Sequence, residues 1–140
     1  MLRLPEHAYL ALVGHALDGY PLEACGLLAG VGERVERFYA CRNAAESSKL
    51  YELDPRDHLR ADRDAEAHGL ELVGVVHSHT HTDAYPSPTD VAQAPDPGWH
   101  YAIVSLRDAE PMLRSYRIVD GAITEEPVVV ERRPPSTIPD

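Results

Sequence analysis

A chain of 140 residues, 44% hydrophobic and 26% charged, suits one soluble globular domain with a core large enough to need neither disulfides nor structural metal. The net charge of −10 argues against nucleic-acid and anionic-membrane binding, which need clustered Lys and Arg, and is compatible with a partner carrying a basic patch. No apolar run is long enough to span a membrane, MLRLPE does not read as a signal peptide, and the two cysteines, Cys25 and Cys41, form no framework and suit a reducing cytoplasm.

In chain order, residues 5–18 place Leu10, Val13 and Leu17 at helical spacing, with Gly19 as the stop. Residues 22–30 and 34–41 read as two strands of a hairpin turning at Gly30-Val31-Gly32, and 49–53 as a further short strand. Pro55 opens a charged helix to about His68, whose thin apolar side is Leu59 and a few alanines. A β-branched run over 70–77 reads as a buried strand, and a turn-rich loop then leads to a helix over 87–94. Strands follow over 99–106 and 112–119, and Asp120-Gly121 is a hairpin turn into a last strand over 122–130. Residues 1–131 are expected to form the domain, and 132–140, with three prolines, a frayed tail. The fold class is α/β: a mixed sheet flanked by helices.

The chemistry concentrates in VVHSHTHTDAYPSPTD, where His77 and His79 are followed at fixed distance by Ser87 and Asp90. On an extended backbone residues two apart point to one side, so His77 and His79 project together from the end of their strand. Ser87 suits a helix N-cap with Pro88 at the first helical position, and Asp90, three residues on, lies on the same helical face. Two imidazoles and a carboxylate make a three-ligand zinc (Zn2+) set with the fourth position left for water, the pattern of a hydrolytic rather than a structural site. Such a site needs a general base. Glu23 stands at the start of an otherwise apolar strand, where a carboxylate is costly unless it is used.

Together, Glu23, His77-Ser78-His79, Ser87 and Asp90 resemble the signature of the JAMM, or MPN-plus, zinc metalloproteases, without departure in spacing or residue type. The resemblance implies that His77, His79 and Asp90 bind zinc, that Glu23 is the general acid and base, and that Ser87 helps hold the oxyanion. It also implies a cytidine-deaminase-like architecture. EACGLLAG, AYPSPTD and RSYRIVDGAITEEPV are similar to the small bacterial members that remove cysteine from a sulfur-carrier protein, and no insertion of the deubiquitinating kind is present. The implied substrate is a ubiquitin-like sulfur carrier ending in Gly-Gly, its tail laid along a sheet edge, with cysteine as the leaving group in cysteine biosynthesis.

Plainer readings exist for each residue. A histidine pair at a strand end is more often structural, and an isolated Ser-Pro-Thr-Asp is more often only a helix cap; the joint spacing with Glu23 reverses that balance. His81, Cys25 and Trp99 are secondary candidates for solvent, core or groove roles, and Ser78 points away from the metal. Two alternatives to the carrier–cysteine peptidase stand beside it. One is an isopeptidase that removes a ubiquitin-like modifier from lysine or trims a carrier C-terminus; the other is a non-catalytic MPN scaffold. A homodimer is left open.

Overall fold

The computed structural model describes residues 1–133, so the tail expected over 132–140 lies, from residue 134 on, outside the described residues. The elements run β1 (Leu2–Pro5), α1 (Glu6–Gly19), β2 (Cys25–Val31), β3 (Arg34–Cys41), α2 (Pro55–Ala67), β4 (Glu71–His79), α3 (Pro88–Ala92), β5 (His100–Ser105), β6 (Met112–Val119), β7 (Ala122–Glu126) and β8 (Val128–Glu131). All eight strands join one sheet in the order β7-β6-β5-β4-β2-β3-β1-β8. β4 and β5 run parallel, as do β1 with β3 and with β8, and the remaining pairs are antiparallel. This is the mixed α/β architecture expected from the sequence.

Both faces of the central strands are covered. Along β2, Cys25 and Leu27 enter one core with Tyr51, Ala61, Val75, Tyr101 and Ile103, the side packed by α2. Leu28 alternates to the other face and joins Leu12, Ala16, Val76, Ala102 and Val104 under α1. Strands buried on both sides have no polar alternation to display, which is why β2, β4 and β5 read as continuous apolar runs.

Four sequence expectations are corrected. The buried side of α1 is Ala8, Leu12 and Ala16, whereas Leu10 and Leu17 are 61% and 54% exposed. Small residues let the helix approach the sheet closely, and of the residues at the expected spacing Leu10 and Leu17 face outward while Val13 is partly buried against the core. Leu59 on α2 is likewise half exposed while Ala61 and Ala65 are buried. Residues 49–53 form no strand; the segment keeps a single bridge, Asn43 to Leu53. The strand expected over 122–130 breaks at Pro127, which has no N–H to continue a ladder. Its two halves lie on opposite edges of the sheet.

That break shapes the molecule. One residue spans only about 7 Å between its neighbours' Cα atoms, so Pro127 can join the two edges only if the twisted sheet curls until they meet. β1, too short to show periodicity, fills the gap next to β8, and the Leu2 amide donates to the Pro127 carbonyl at 2.8 Å. At this corner the buried His100 ring meets the Glu126 carboxylate through Nδ1 (2.8 Å) and the Gly32 carbonyl through Nε2 (3.2 Å). Ser115 also donates to Glu126, at 2.8 Å. Among the described residues, no helix is long and apolar enough to cross a membrane.

Candidate metal centre

β4 is held between β2 and β5, and its ladder continues to its last residues: Cys25 pairs with His77 on one side and Ser105 with His79 on the other. At Gly74 an added Cβ would lie 2.5 Å from the His100 carbonyl oxygen, so the absence of a side chain there lets β4 and β5 close up. His77 and His79 therefore leave a rigid strand from the same face, and both are buried.

Asp90 reaches them from the first turn of α3. Ser87 caps this helix: its Oγ accepts from the Asp90 amide at 3.1 Å, while the Ser87 amide donates to Asp90 Oδ2 at 2.9 Å. This reciprocal capping box fixes the carboxylate. His77 Nε2 lies 3.2 Å from Asp90 Oδ1 and 3.2 Å from His79 Nε2, and His79 Nε2 lies 2.9 Å from Asp90 Oδ2. Those separations are close to the edge of a tetrahedron, about 3.3 Å for ligands at zinc distance. His79 Nδ1 lies 2.7 Å from the Asp83 carbonyl, which can only accept; the nitrogen therefore donates, and the neutral ring turns its Nε2 lone pair to the centre. Two imidazole nitrogens and a carboxylate converging on one point offer three donors to a cation between them. Among the described residues, His77, His79 and Asp90 form a group that could hold a metal ion.

For His77 and Asp90 the electrostatics agree. Burial drives His77 below the usual imidazole range, favouring the neutral ring that a metal requires. For Asp90, burial pushes upward but the hydrogen bonds with His77 and His79 win, holding the carboxyl well below its ordinary range. His79 is raised: burial lowers it, yet the Asp90 and Asp83 contacts outweigh that.

Glu23 lies just before β2 and is only 5% exposed. Its amide donates to the Ser47 carbonyl at 2.8 Å, and its carbonyl accepts from Asn43 Nδ2 at 2.9 Å. Neighbouring Ala24 is tied to β4 twice, donating to Ser78 Oγ at 2.8 Å and accepting from the Ser78 amide at 2.9 Å. The backbone is thus clamped, but the buried carboxylate oxygen Oε1 has no hydrogen-bond partner. Burial pushes the Glu23 carboxyl up to about 7, with His79 pulling it down and Asp90 pushing it further up. A carboxyl that changes protonation near neutrality, beside a candidate metal group, has the properties of a proton shuttle.

A cleft of about 370 Å³ opens on this group, with Glu23, His79 and Ser87 in its lining. The chain matches the family described as prokaryotic homologs of the JAB domain over residues 5–119. It belongs to that family. Over 126 residues it is 50% identical to the CysO-cysteine peptidase of Mycobacterium tuberculosis, covering 87% of this chain and 86% of that protein. It is 37% identical over 111 residues to a desampylase of Haloferax volcanii, covering 74% and 80%. A solved protein of Desulfitobacterium hafniense has the same fold, with a TM-score of 0.86 at 34% identity over 95% of this chain and 94% of that one.

In this JAB-family chain all five site candidates come to one place: His77, His79 and Asp90 in mutual contact, with Glu23 and Ser87 lining the same cleft. The secondary candidates fall outside it or at its margin. The Cys25 thiol is buried and pushed up to about 12 by desolvation, which keeps it protonated and unsuited to ligation. Trp99 packs against the core, and His81 is exposed at the cleft, near the Tyr20 hydroxyl. Sequence reasoning missed Tyr51, whose ring stacks on His77 with centroids 4.4 Å apart, and Asn43, which anchors the Glu23 segment. Neither belongs to a repeating pattern, so only the folded arrangement identifies them.

Proposed function

We propose that this chain is a zinc-dependent peptidase that hydrolyses the amide between the C-terminal glycine of a ubiquitin-like sulfur carrier and a cysteine, with residues 1–131 as its catalytic unit. The observation that carries the reading is the buried His77/His79/Asp90 group with the unpartnered Glu23 carboxylate beside it. The half-identical mycobacterial peptidase supports the substrate class. Nitrogen-rich donors at tetrahedral spacing favour zinc over magnesium or calcium, which take oxygen ligands. When bound, zinc polarises a carbonyl and acidifies water.

The chain's own residues do the rest. Glu23, in its ionised form, takes a proton from the attacking water and delivers it to the amine nitrogen as the carbon–nitrogen bond breaks. Ser87 Oγ already accepts from the Asp90 amide, so its own hydrogen is free to donate to the carbonyl oxygen as that atom gains charge. The cytoplasm suits this reading, because Cys25 and Cys41 are unpaired thiols.

A second reading, release of a modifier from a protein lysine, is favoured by the desampylase relative. The test is to incubate the zinc-loaded protein with carrier–cysteine and carrier–lysine adducts and weigh the products. Chelator-sensitive release of cysteine is expected. An intact carrier–cysteine adduct with cleaved carrier–lysine would establish the second reading, and a protein that takes up no zinc on loading and cleaves neither adduct would return to a scaffold role.

A further inference from the structure

The cleft beside the metal group is lined, besides Glu23, His79 and Ser87, by Ser48, Lys49, Thr80, His81 and Thr82, and His81 is turned to the Tyr20 hydroxyl and Thr80 Oγ1. Lys49 is the sole lysine in a chain whose other twelve cationic side chains are arginines and whose net charge is −10. Arg42 and Arg107, on other loops, are committed to ion pairs with Glu46, Asp54 and Asp83. No carboxylate among the described residues pairs with Lys49.

The backbone that presents it is held on both sides. The Lys49 and Leu50 amides donate to Ser47 Oγ at 3.0 and 3.3 Å, and Asn43 Nδ2 donates to the Leu50 carbonyl at 3.0 Å. Thr80 Oγ1, one residue past β4, donates to the Ser48 carbonyl at 3.2 Å. Asn43 also holds the carbonyl of Glu23, so the cation and the carboxylate of the cleft are set by one side chain.

We infer that Lys49 receives the free α-carboxylate of the leaving amino acid. This inference rests on the peptidase reading above. When the amine released is that of a free amino acid, its carboxylate sits on the same carbon as the scissile nitrogen and must enter the cleft together with it. Glu23 in its ionised form repels an anion brought into the cleft beside it, and Lys49 is the fixed cation in the lining that offsets this. An amide to a protein lysine places only methylenes beside the scissile nitrogen and gives Lys49 nothing to bind. Lys49 therefore selects an amino-acid leaving group over a protein one.

The test compares carrier–cysteine with carrier–cysteinamide, which differ only in that carboxylate, for the zinc-loaded wild type, Lys49→Ala and Lys49→Arg. The wild type should cleave the carboxylate-bearing adduct with a kcat/KM higher by about tenfold, as expected for one charge-assisted contact. Lys49→Ala should lose that preference and cleave the two adducts with equal efficiency, and Lys49→Arg should keep it. A wild type indifferent to the carboxylate, or a Lys49→Ala variant that still prefers it, overturns the inference while leaving the peptidase reading intact. Cleavage of neither adduct by the wild type overturns both.

Discussion

Glu23 is buried beside two imidazoles and a carboxylate, with one of its own oxygens unpartnered, an arrangement that costs stability unless chemistry uses it. Replacing it by glutamine keeps size and shape but removes the base. Glu23→Gln is expected to bind zinc in the same stoichiometry, measured by metal analysis, and to lower kcat by about 10²–10⁴-fold; wild-type turnover would remove it from the mechanism. The same substitution has a stability signature in the metal-free protein. Burial raises this carboxyl from 4.5 to about 7. Between those values the folded chain keeps a proton that the unfolded chain has released, so the group lowers stability as pH rises through that window. Glu23→Gln should therefore stabilise the metal-free protein by about 3 kcal/mol at pH values above the window and change little below it. Urea unfolding at the two ends of the range reads the difference.

At the scale of elements, β4 and α3 were legible because their chemistry depends on short-range spacing. A period of two aligns His77 with His79, and a capping box joins Ser87 to Asp90. α1 was legible in extent but not in orientation. Its alanines carry little hydrophobic signal, yet Ala8 and Ala16 flank Leu12 in the buried stripe, while Leu10 faces out. Leu12→Ala is expected to cost about 2–4 kcal/mol through lost burial and a cavity, and Leu10→Ala less than about 0.5 kcal/mol. Chemical denaturation of the two variants decides which face is inside. The segment around Tyr51 reads as a strand but is not one, because Tyr51 and Leu53 pack into the core while Leu50 faces out and only Leu53 keeps a backbone bridge.

At the scale of the molecule, the curled sheet is closed where β5, β7 and the β2–β3 turn converge on His100 and Glu126. Both His100 nitrogens face acceptor groups, the Glu126 carboxylate and the Gly32 carbonyl. For Glu126, burial pushes upward, but hydrogen bonds from His100, the Met1 ammonium and Ser115 hold the carboxyl at about 2. Its folded value lies below its ordinary one, so its contribution is present above about 4.5 and is lost as pH falls toward 2. His100→Leu is expected to destabilise the fold by about 1–3 kcal/mol at neutral pH, because the buried Glu126 carboxylate loses one hydrogen-bond partner while keeping the Met1 ammonium, Ser115 and Arg117. That loss should shrink as the pH is taken below 4, where Glu126 becomes protonated in the variant. A substitution cost that stays constant with pH would show that packing alone is at stake.

The sequence by itself determined the candidate metal-ligand set, the candidate base, the capped helix and the α/β class, because each depends on residue type and spacing within one or two elements. It left open how Pro127 divides the last strand between opposite sheet edges, which face of α1 is buried, and that Asn43, Tyr51 and Lys49 surround the site. Those depend on contacts between segments far apart in the chain, and only the curled sheet brings them together. Glu23 and His77 stand 54 positions apart in the chain; the β2–β4 ladder, pairing Cys25 with His77, is what sets a carboxylate beside a metal group.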